Sequence, residues 1–238
     1  KPVLGNCRTY CLFELVDNAN SKNPLARFAH RTRVKNSIRL GKSRVSAGRI
    51  LDYGCGSGVF VHEMNNVRPE LAFGYEPFME ERTSENLPIF RDFEDIKKHA
   101  PFGTVTLFET IEHLSDSELG DFLDRSSEVL QDDGCILISA PIEIGPALIM
   151  KEFNRSLLKF RKPEHHFLEF VNAAFFGQPA RRATNIKCSH RGFDFRSAIK
   201  KIEARGWEVS ILKYSPLPLP SWYGNSQVFL TARKIANA

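Results

Sequence analysis

Three features of the 238-residue sequence predict an α/β fold with a mostly parallel sheet. The first is Ile50-Leu51-Asp52-Tyr53-Gly54-Cys55-Gly56-Ser57-Gly58-Val59-Phe60, which reads as a buried strand, a glycine-rich turn and the start of a helix. The second is the alternation of short β-rich runs with helical patterns from residue 50 to residue 141. The third is a helix from Phe195 closed by Gly206, followed by two more strands, Trp207–Tyr214 and Gln227–Arg233.

Composition sets the outer bounds. Apolar content of 42% and charged content of 26% suit a globular domain with a sizeable core. No run reaches the roughly 18 apolar residues of a membrane span, and no signal-like segment opens the given sequence, although it starts at Lys1. The five cysteines are odd in number and lack C-x-x-C spacing, which favours free thiols and a reducing compartment. The expected location is therefore cytoplasmic, with peripheral contact at the inner membrane face as a second reading. Charge is unevenly divided: residues 1–48 carry ten Lys/Arg against two acids, 49–142 seven against nineteen, and 143–191 nine against four. Basic segments can meet anionic lipid, nucleic acid or a phosphorylated substrate, or merely solvate helices.

In order, a short helix is expected near Cys11–Val16, a loop at 18–24, and a basic helix from Leu25 to about Leu40. Strand one ends at Tyr53. Leu71–Glu76 reads as strand two and Leu87–Phe90 as a short strand three. Asp92 then starts a helix or faces a ligand. Gly103–Glu109 is strand four. Ser115 with Glu118 forms a capping box for a helix over 116–130, whose Leu119, Phe122, Leu123 and Val129 are core. Gln131–Gly134 is a turn and Cys135–Pro141 strand five.

The loop excludes two nucleotide sites. A dinucleotide fingerprint needs Gly where Val59 stands, and no Gly-Lys-Ser/Thr is present for a phosphate-gripping loop. Asp52 at the strand end would repel a pyrophosphate and suits a ligand with positive charge. Asp52 and Glu76 lie at the carboxyl ends of successive βα units, where open α/β sheets bind ligands. An acid at Glu76 suits two ribose hydroxyls.

Asp52-Tyr-Gly-Cys-Gly-Ser-Gly, Tyr75-Glu76-Pro77, Leu107-Phe108-Glu109-Thr110-Ile111-Glu112-His113-Leu114 and the 130–139 strand resemble, in order and spacing, the class I S-adenosylmethionine (SAM) methyltransferases. The Glu-His-Leu version resembles the small-molecule branch, which includes ubiquinone-biosynthesis, sugar and natural-product O-methyltransferases. The resemblance implies a Rossmann-like, seven-stranded, mostly parallel sheet with helices on both faces and an inserted lid. It divides the chain into a basic helical segment (1–48), a SAM-binding core (49–142), a substrate-covering insertion (143–191) and the rest of the core (192–238). It implies Asp52, Gly54, Cys55 and Gly56 on the methionine side of SAM, Glu76 and Pro77 at the ribose, Asp92 and Phe93 at the adenine, and Phe108 and Glu109 beside the sulfonium.

The insertion carries a helical pattern over 144–162 with Lys151, Arg155, Lys159, Arg161 and Lys162, then Glu164-His165-His166 and an aromatic stretch through Phe176. It reads as a lid over an acceptor that is anionic or lipid-linked, as a membrane-surface helix, or as a lid with a solvated basic face. Methylation of a hydroxyl benefits from a base, with His113, His165, His166 and His190 as candidates, or from no side-chain base at all. Metal binding is not expected: the nearest cluster, His165-His166 with Glu164 and Glu169, lacks ligand spacing. Two other classes stay open. One is a nucleic-acid methyltransferase, which the absence of an Asn/Asp-Pro-Pro-aromatic signature and of an RNA-binding module speaks against. The other is a non-catalytic SAM-binding subunit. The acceptor and the oligomeric state are unassigned.

Overall fold

Seven strands pair into one sheet in the computed structural model, which describes residues 24–79, 87–153, 165–187 and 189–235. They are β1 (Ile50–Tyr53), β2 (Ala72–Tyr75), β3 (Ile89–Phe90), β4 (Phe102–Leu107), β5 (Leu130–Pro141), β6 (Trp207–Ser215) and β7 (Gln227–Lys234). The order is β3-β2-β1-β4-β5-β7-β6, and β7 runs antiparallel to both its neighbours while the other pairings are parallel. Chain direction across the sheet switches between β1 and β4, so the crevice at their carboxyl ends is where a ligand has room.

The helices are α1 (Pro24–Lys42), α2 (Val59–Asn65), α3 (Phe93–Lys97), α4 (Asp116–Val129), α5 (Ala147–Phe153), α6 (Phe167–Phe176) and α7 (Phe195–Glu203). Successive strand residues point to opposite faces, and both faces are apolar. Leu51, Phe73, Val105 and Ile136 join the larger core with Phe93, Phe122, Ala198 and Ile202. Ile50 and Ala72 face the other way, onto Phe60, Val61 and Met64 of α2 and Ile38 of α1. The sheet is thus covered by helices on both faces. The capping box at Ser115 and Glu118 forms as the sequence predicts.

Three elements differ from the sequence-based expectation. β5 starts at Leu130, not Cys135: Leu130 pairs with Phe102 and the register then shifts, so residues 131–134 are an irregularity inside the strand. The helical pattern from Ile144 is observed as α5 from Ala147 to Phe153. The aromatic stretch after His166 is a second helix, α6, which the sequence did not announce. The short helix expected near Cys11–Val16, and Arg155, Lys159, Arg161 and Lys162, lie outside the described residues. No described helix is long and apolar enough to cross a membrane.

The basic helix α1 is fastened to the far end of the sheet. Buried Asn36 donates through Nδ2 to Ser215 Oγ (3.0 Å) and accepts from Lys213 Nζ (2.8 Å), both on β6. Its last turns pack on α2, where a Cβ on Gly41 would stand 2.6 Å from the Phe60 ring. Held at these two places, α1 reaches the carboxyl ends of β1 and β4.

Candidate active site

The glycine loop after β1 closes by hydrogen bonds to β2. Gly54 and Cys55 N–H both donate to Tyr75 O (2.8 and 3.3 Å), and Gly56 N–H donates to Glu76 Oε2 (3.2 Å). Gly54 and Gly58 take left-handed φ angles of 76° and 77°. A Cβ would meet Thr110 Cγ2 at 2.9 Å in the first case and Ile89 Cδ1 at 2.4 Å in the second, so both strain and space require glycine. The Cys55 thiol turns toward β2, where a Cβ on Gly74 would stand 2.6 Å from Sγ. Burial, with Asp52 and Glu76 nearby, pushes that thiol well up, so Cys55 is a packed loop residue and not a thiolate.

Asp52 is buried inside β1 and accepts from Thr106 Oγ1 at 2.6 Å. Burial raises its carboxyl to about 7, against the Thr106 hydrogen bond, and the charge of Glu76 adds to the rise. Glu76 follows β2 with Oε2 on Gly56 N–H and Oε1 on Phe78 N–H (3.3 Å). Beyond β3, Asp92 caps α3 by accepting from Glu94 N–H at 3.0 Å. Phe93 is only 4% exposed, and its ring packs edge-on against Tyr75 at 5.3 Å, which makes it chiefly a core residue. Its exposed edge, with Tyr75, Pro77, Asp92 and Arg125, borders an open cavity of about 610 Å³.

At the end of β4, Phe108 packs between Phe60 and Phe229 (ring centroids 5.2 and 6.5 Å). Glu109 has φ 52°, rare for a residue with a Cβ. Its carboxylate binds Arg33 Nη1 of α1 at 2.6 Å, Ser139 Oγ of β5 at 2.9 Å, and Gln227 Nε2 of β7, while Glu109 N–H donates to Ser139 Oγ at 2.9 Å. Burial alone would raise the Glu109 carboxyl. Arg33, Ser139 and Gln227 outweigh it and hold it below the ordinary carboxylate value.

Beside it, Glu112 sits fully buried on the 3-10 turn Ile111–His113, with no hydrogen-bond partner for either carboxylate oxygen. Burial, and then the charge of Glu109, push it up to about 8. His190 Nε2 approaches Glu112 Oε1 at 3.8 Å, and its ring packs on His113 at 5.0 Å. Burial lowers His190 to about 4, so the ring is neutral at physiological pH. His113 Nδ1 lies 3.0 Å from Ile186 O. A carbonyl only accepts, so His113 Nδ1 carries a proton in this contact. Arg182 clamps this corner by donating to Glu112 O, Ser189 O and Arg191 O. Glu112, His113 and His190 each offer a ligand atom within 4.8 Å of the others and form the metal-capable group among the described residues, a different set from the one weighed in the sequence.

The other two candidate histidines are placed elsewhere. His165 is buried with Nδ1 on Glu152 Oε1 at 2.6 Å, and His166 is the exposed residue preceding α6. Neither meets Glu109 or His113 among the described contacts. The structure instead brings in His190, the fourth candidate of the sequence, together with Arg33, Ser139 and Gln227, from four separate stretches of chain. No local motif could have announced the last three, because their roles arise from the sheet order.

A family model described as "Methyltransferase domain" matches residues 25–183. No curated protein matches the chain significantly. Among solved structures, the magnesium protoporphyrin IX methyltransferase from Synechocystis PCC 6803 with bound S-adenosylhomocysteine (SAH) is similar at TM-score 0.54 and 10% identity, over 94% of each chain. A SAM-dependent methyltransferase from Archaeoglobus fulgidus reaches 0.52 at 15% identity, over 94% of this chain and 99% of that one. The 1,6-didemethyltoxoflavin-N1-methyltransferase from Burkholderia thailandensis, with 1,6-didemethyltoxoflavin and SAH bound, reaches 0.50 at 15%, over 99% and 93%. At these identities the likeness is one of fold.

Removing Arg33 should expose how the Glu109 cluster is balanced. Arg33→Ala leaves a buried carboxylate short of its main cation, and should cost about 1–3 kcal/mol at neutral pH, less than for a fully buried pair because both side chains keep some solvent contact. Glu109 has a lowered value in the folded protein, so the pair's contribution is present above the ordinary carboxylate range and fades as acid protonates Glu109. Urea denaturation of both proteins at pH 7 and near pH 4 should show the difference shrinking in acid. An equal loss at both values would assign Arg33 to packing alone.

Proposed function

The chain belongs to the methyltransferase-domain family, and on that premise we propose that it transfers the methyl group of SAM to a small-molecule acceptor, most readily at oxygen. The observation that carries this reading is the loop geometry. Gly56 N–H is tied to Glu76, buried Asp52 lies beneath, and glycines stand where a Cβ would collide. The descriptions of the Synechocystis and Burkholderia structures, with SAH bound, support the same ligand.

When bound, SAM supplies an electrophilic methyl carbon on a sulfonium. Glu76 would accept from the two ribose hydroxyls, and Asp52 would oppose the ammonium of the methionine end. Asp92, which caps α3 through Oδ1, would accept from the adenine amino group with its other oxygen. Phe108 floors the site beside Glu109, whose carboxylate is fixed by three partners and does not swing. An acceptor hydroxyl must lose its proton as it takes the methyl group. His113 is assigned that proton because it follows β4 beside Glu109 and its ring is oriented by the Nδ1–H bond to Ile186 O, with the His190 ring edge-on beside it.

Calorimetry should detect SAM and SAH and show little response to NAD; tight NAD binding without SAM binding would overturn the reading. Glu76→Ala should weaken SAM roughly 10–150-fold in a folded protein, since charged hydrogen bonds are worth about 1.5–3 kcal/mol. An unchanged dissociation constant would remove Glu76 from the site.

Asp52 gives the binding a pH signature. In the free protein burial holds its carboxyl at about 7, and the ionised form is the one that attracts an ammonium. SAM binding should therefore tighten as pH rises through that region and release a proton at or just below it. Titrations in buffers of different ionisation enthalpy read that proton. Asp52→Asn should abolish the release; a variant that still releases it would place the titrating group elsewhere.

The role of His113 is tested by turnover, with an acceptor found by mass-shift screening. His113→Gln should lower turnover by roughly 10²–10⁴-fold while the SAM dissociation constant stays near wild type. Unchanged turnover would return the proton to solvent or to His190.

A further inference from the structure

The insertion has two unlike sides. Its described charged groups are closely paired with one another. Glu143 binds Lys151 at 2.7 Å, Glu152 binds His165, and Glu169 binds Arg191, so each described acid of residues 143–191 has a basic side chain as its partner. Toward solvent it is apolar. Ile149, Met150 and Phe153 of α5 and Phe167, Leu168, Phe175 and Phe176 of α6 are exposed, with Phe167 at 78%, Leu168 at 74% and Phe176 at 71%. The two helices pack on each other. The buried side of α6 is Ala173 and Ala174, and its one charged residue, Glu169, is the one held by Arg191. Soluble proteins seldom leave so many large apolar groups together in water without a use for them.

We propose that the exposed side of α5 and α6 docks on an anionic lipid bilayer. The occupant follows from charge. The eleven residues that join Phe153 to His165 carry Arg155, Lys159, Arg161 and Lys162 against Glu164 alone. Positive charge is therefore tethered at the end of one apolar helix face and the start of the next. Aromatic and aliphatic side chains beside lysines and arginines match the boundary between acyl chains and anionic headgroups. A second copy of this chain fits less well, because nine Lys/Arg against four acids in each insertion would repel their counterparts. Protein interfaces also draw little on lysine at their centres. The face belongs to the same insertion as His190 and Arg182, which border the Glu109 corner, so docking would bring that corner to the membrane surface. The inference stands whether or not SAM is the cofactor, because it rests on no residue of the glycine loop.

The test is co-sedimentation of the full chain with vesicles of phosphatidylcholine, alone or mixed with phosphatidylglycerol. Binding is expected to the mixed vesicles, weakening with added salt as headgroup attraction is screened. Phe167→Ser with Phe176→Ser should lower partitioning at least roughly tenfold, as loss of buried aromatic area implies. Met150→Ser with Phe153→Ser should do the same from the other helix. Circular dichroism melts should be near wild type for both pairs, because the side chains removed are exposed. Failure of the wild-type protein to bind mixed vesicles overturns the proposal, as does unchanged binding of both variants. A concentration-dependent dimer that the same variants dissolve, without vesicle binding, gives the face to a second copy and equally overturns it. SAM titration of each variant separates this result from the methyl-transfer reading, which predicts unchanged affinity.

Discussion

A single carboxylate at the end of β4 holds the mouth of the sheet in shape. Glu109 gathers Arg33 from α1, Ser139 from β5 and Gln227 from β7, three elements that share no local sequence. Its backbone sits at a left-handed φ that a side chain rarely adopts. Such a conformation persists only when the surroundings over-determine it, and here Ser139 does so twice, accepting the Glu109 N–H and donating to its carboxylate. The same network brings the basic N-terminal helix over the crevice. Without an acid there, Arg33 would have no reason to point inward, and α1 would be held only by Asn36 at the far end and by its packing on α2.

The neighbouring carboxylates show how burial and partners divide the work. Asp52 and Glu112 are buried and Glu109 is half-buried, and the first two are pushed up to about 7 and about 8 while Glu109 is held low. The difference lies in hydrogen bonds and charge. Glu109 has a guanidinium and two neutral donors, Asp52 has one hydroxyl, and Glu112 has no partner for either oxygen. Because Glu109 stays charged, Glu112 beside it is easier to leave protonated. With Asp52 and Glu112 titrating near neutrality, the crevice can accommodate a cationic ligand without all of its carboxylates being charged at once.

The part of this visible in the sequence is the part encoded locally. The strand, the glycine loop and the acids ending β1 and β2 are contiguous, and each has a residue-level reason, so Asp52 and Glu76 could be read directly. The Ser115 capping box is equally local. The partners of Glu109 were hidden because the order β3-β2-β1-β4-β5-β7-β6 brings together residues up to 118 positions apart. Phe93 and Asp92 were legible only as alternatives; the fold uses the first mainly as core and the second as a helix cap. Helix α6 escaped notice for a different reason. Its apolar residues lie on the solvent side as well as the buried side, which erases the amphipathic period that marks a surface helix.

That erased period is informative in its own right. A helix selected only to cover the sheet would keep its large apolar side chains inward, yet α6 buries two alanines and exposes four large residues. The arrangement inverts the usual gain from burial, since each exposed phenylalanine forgoes about 1.5–3 kcal/mol that burial would return. Besides its two buried alanines and its contact with α5, polar groups hold α6 in place: Glu169 with Arg191, and the Gly145 N–H to Ala173 O bond at 2.8 Å. Arg182 then links the strand of chain beyond α6 to the turn that carries Glu112. The insertion is thus fastened by charge at the Glu112 corner and left apolar on the side of the solvent. Anything that engages the outer face acts on a segment already tied, through Arg182 and His190, to Glu112 and His113.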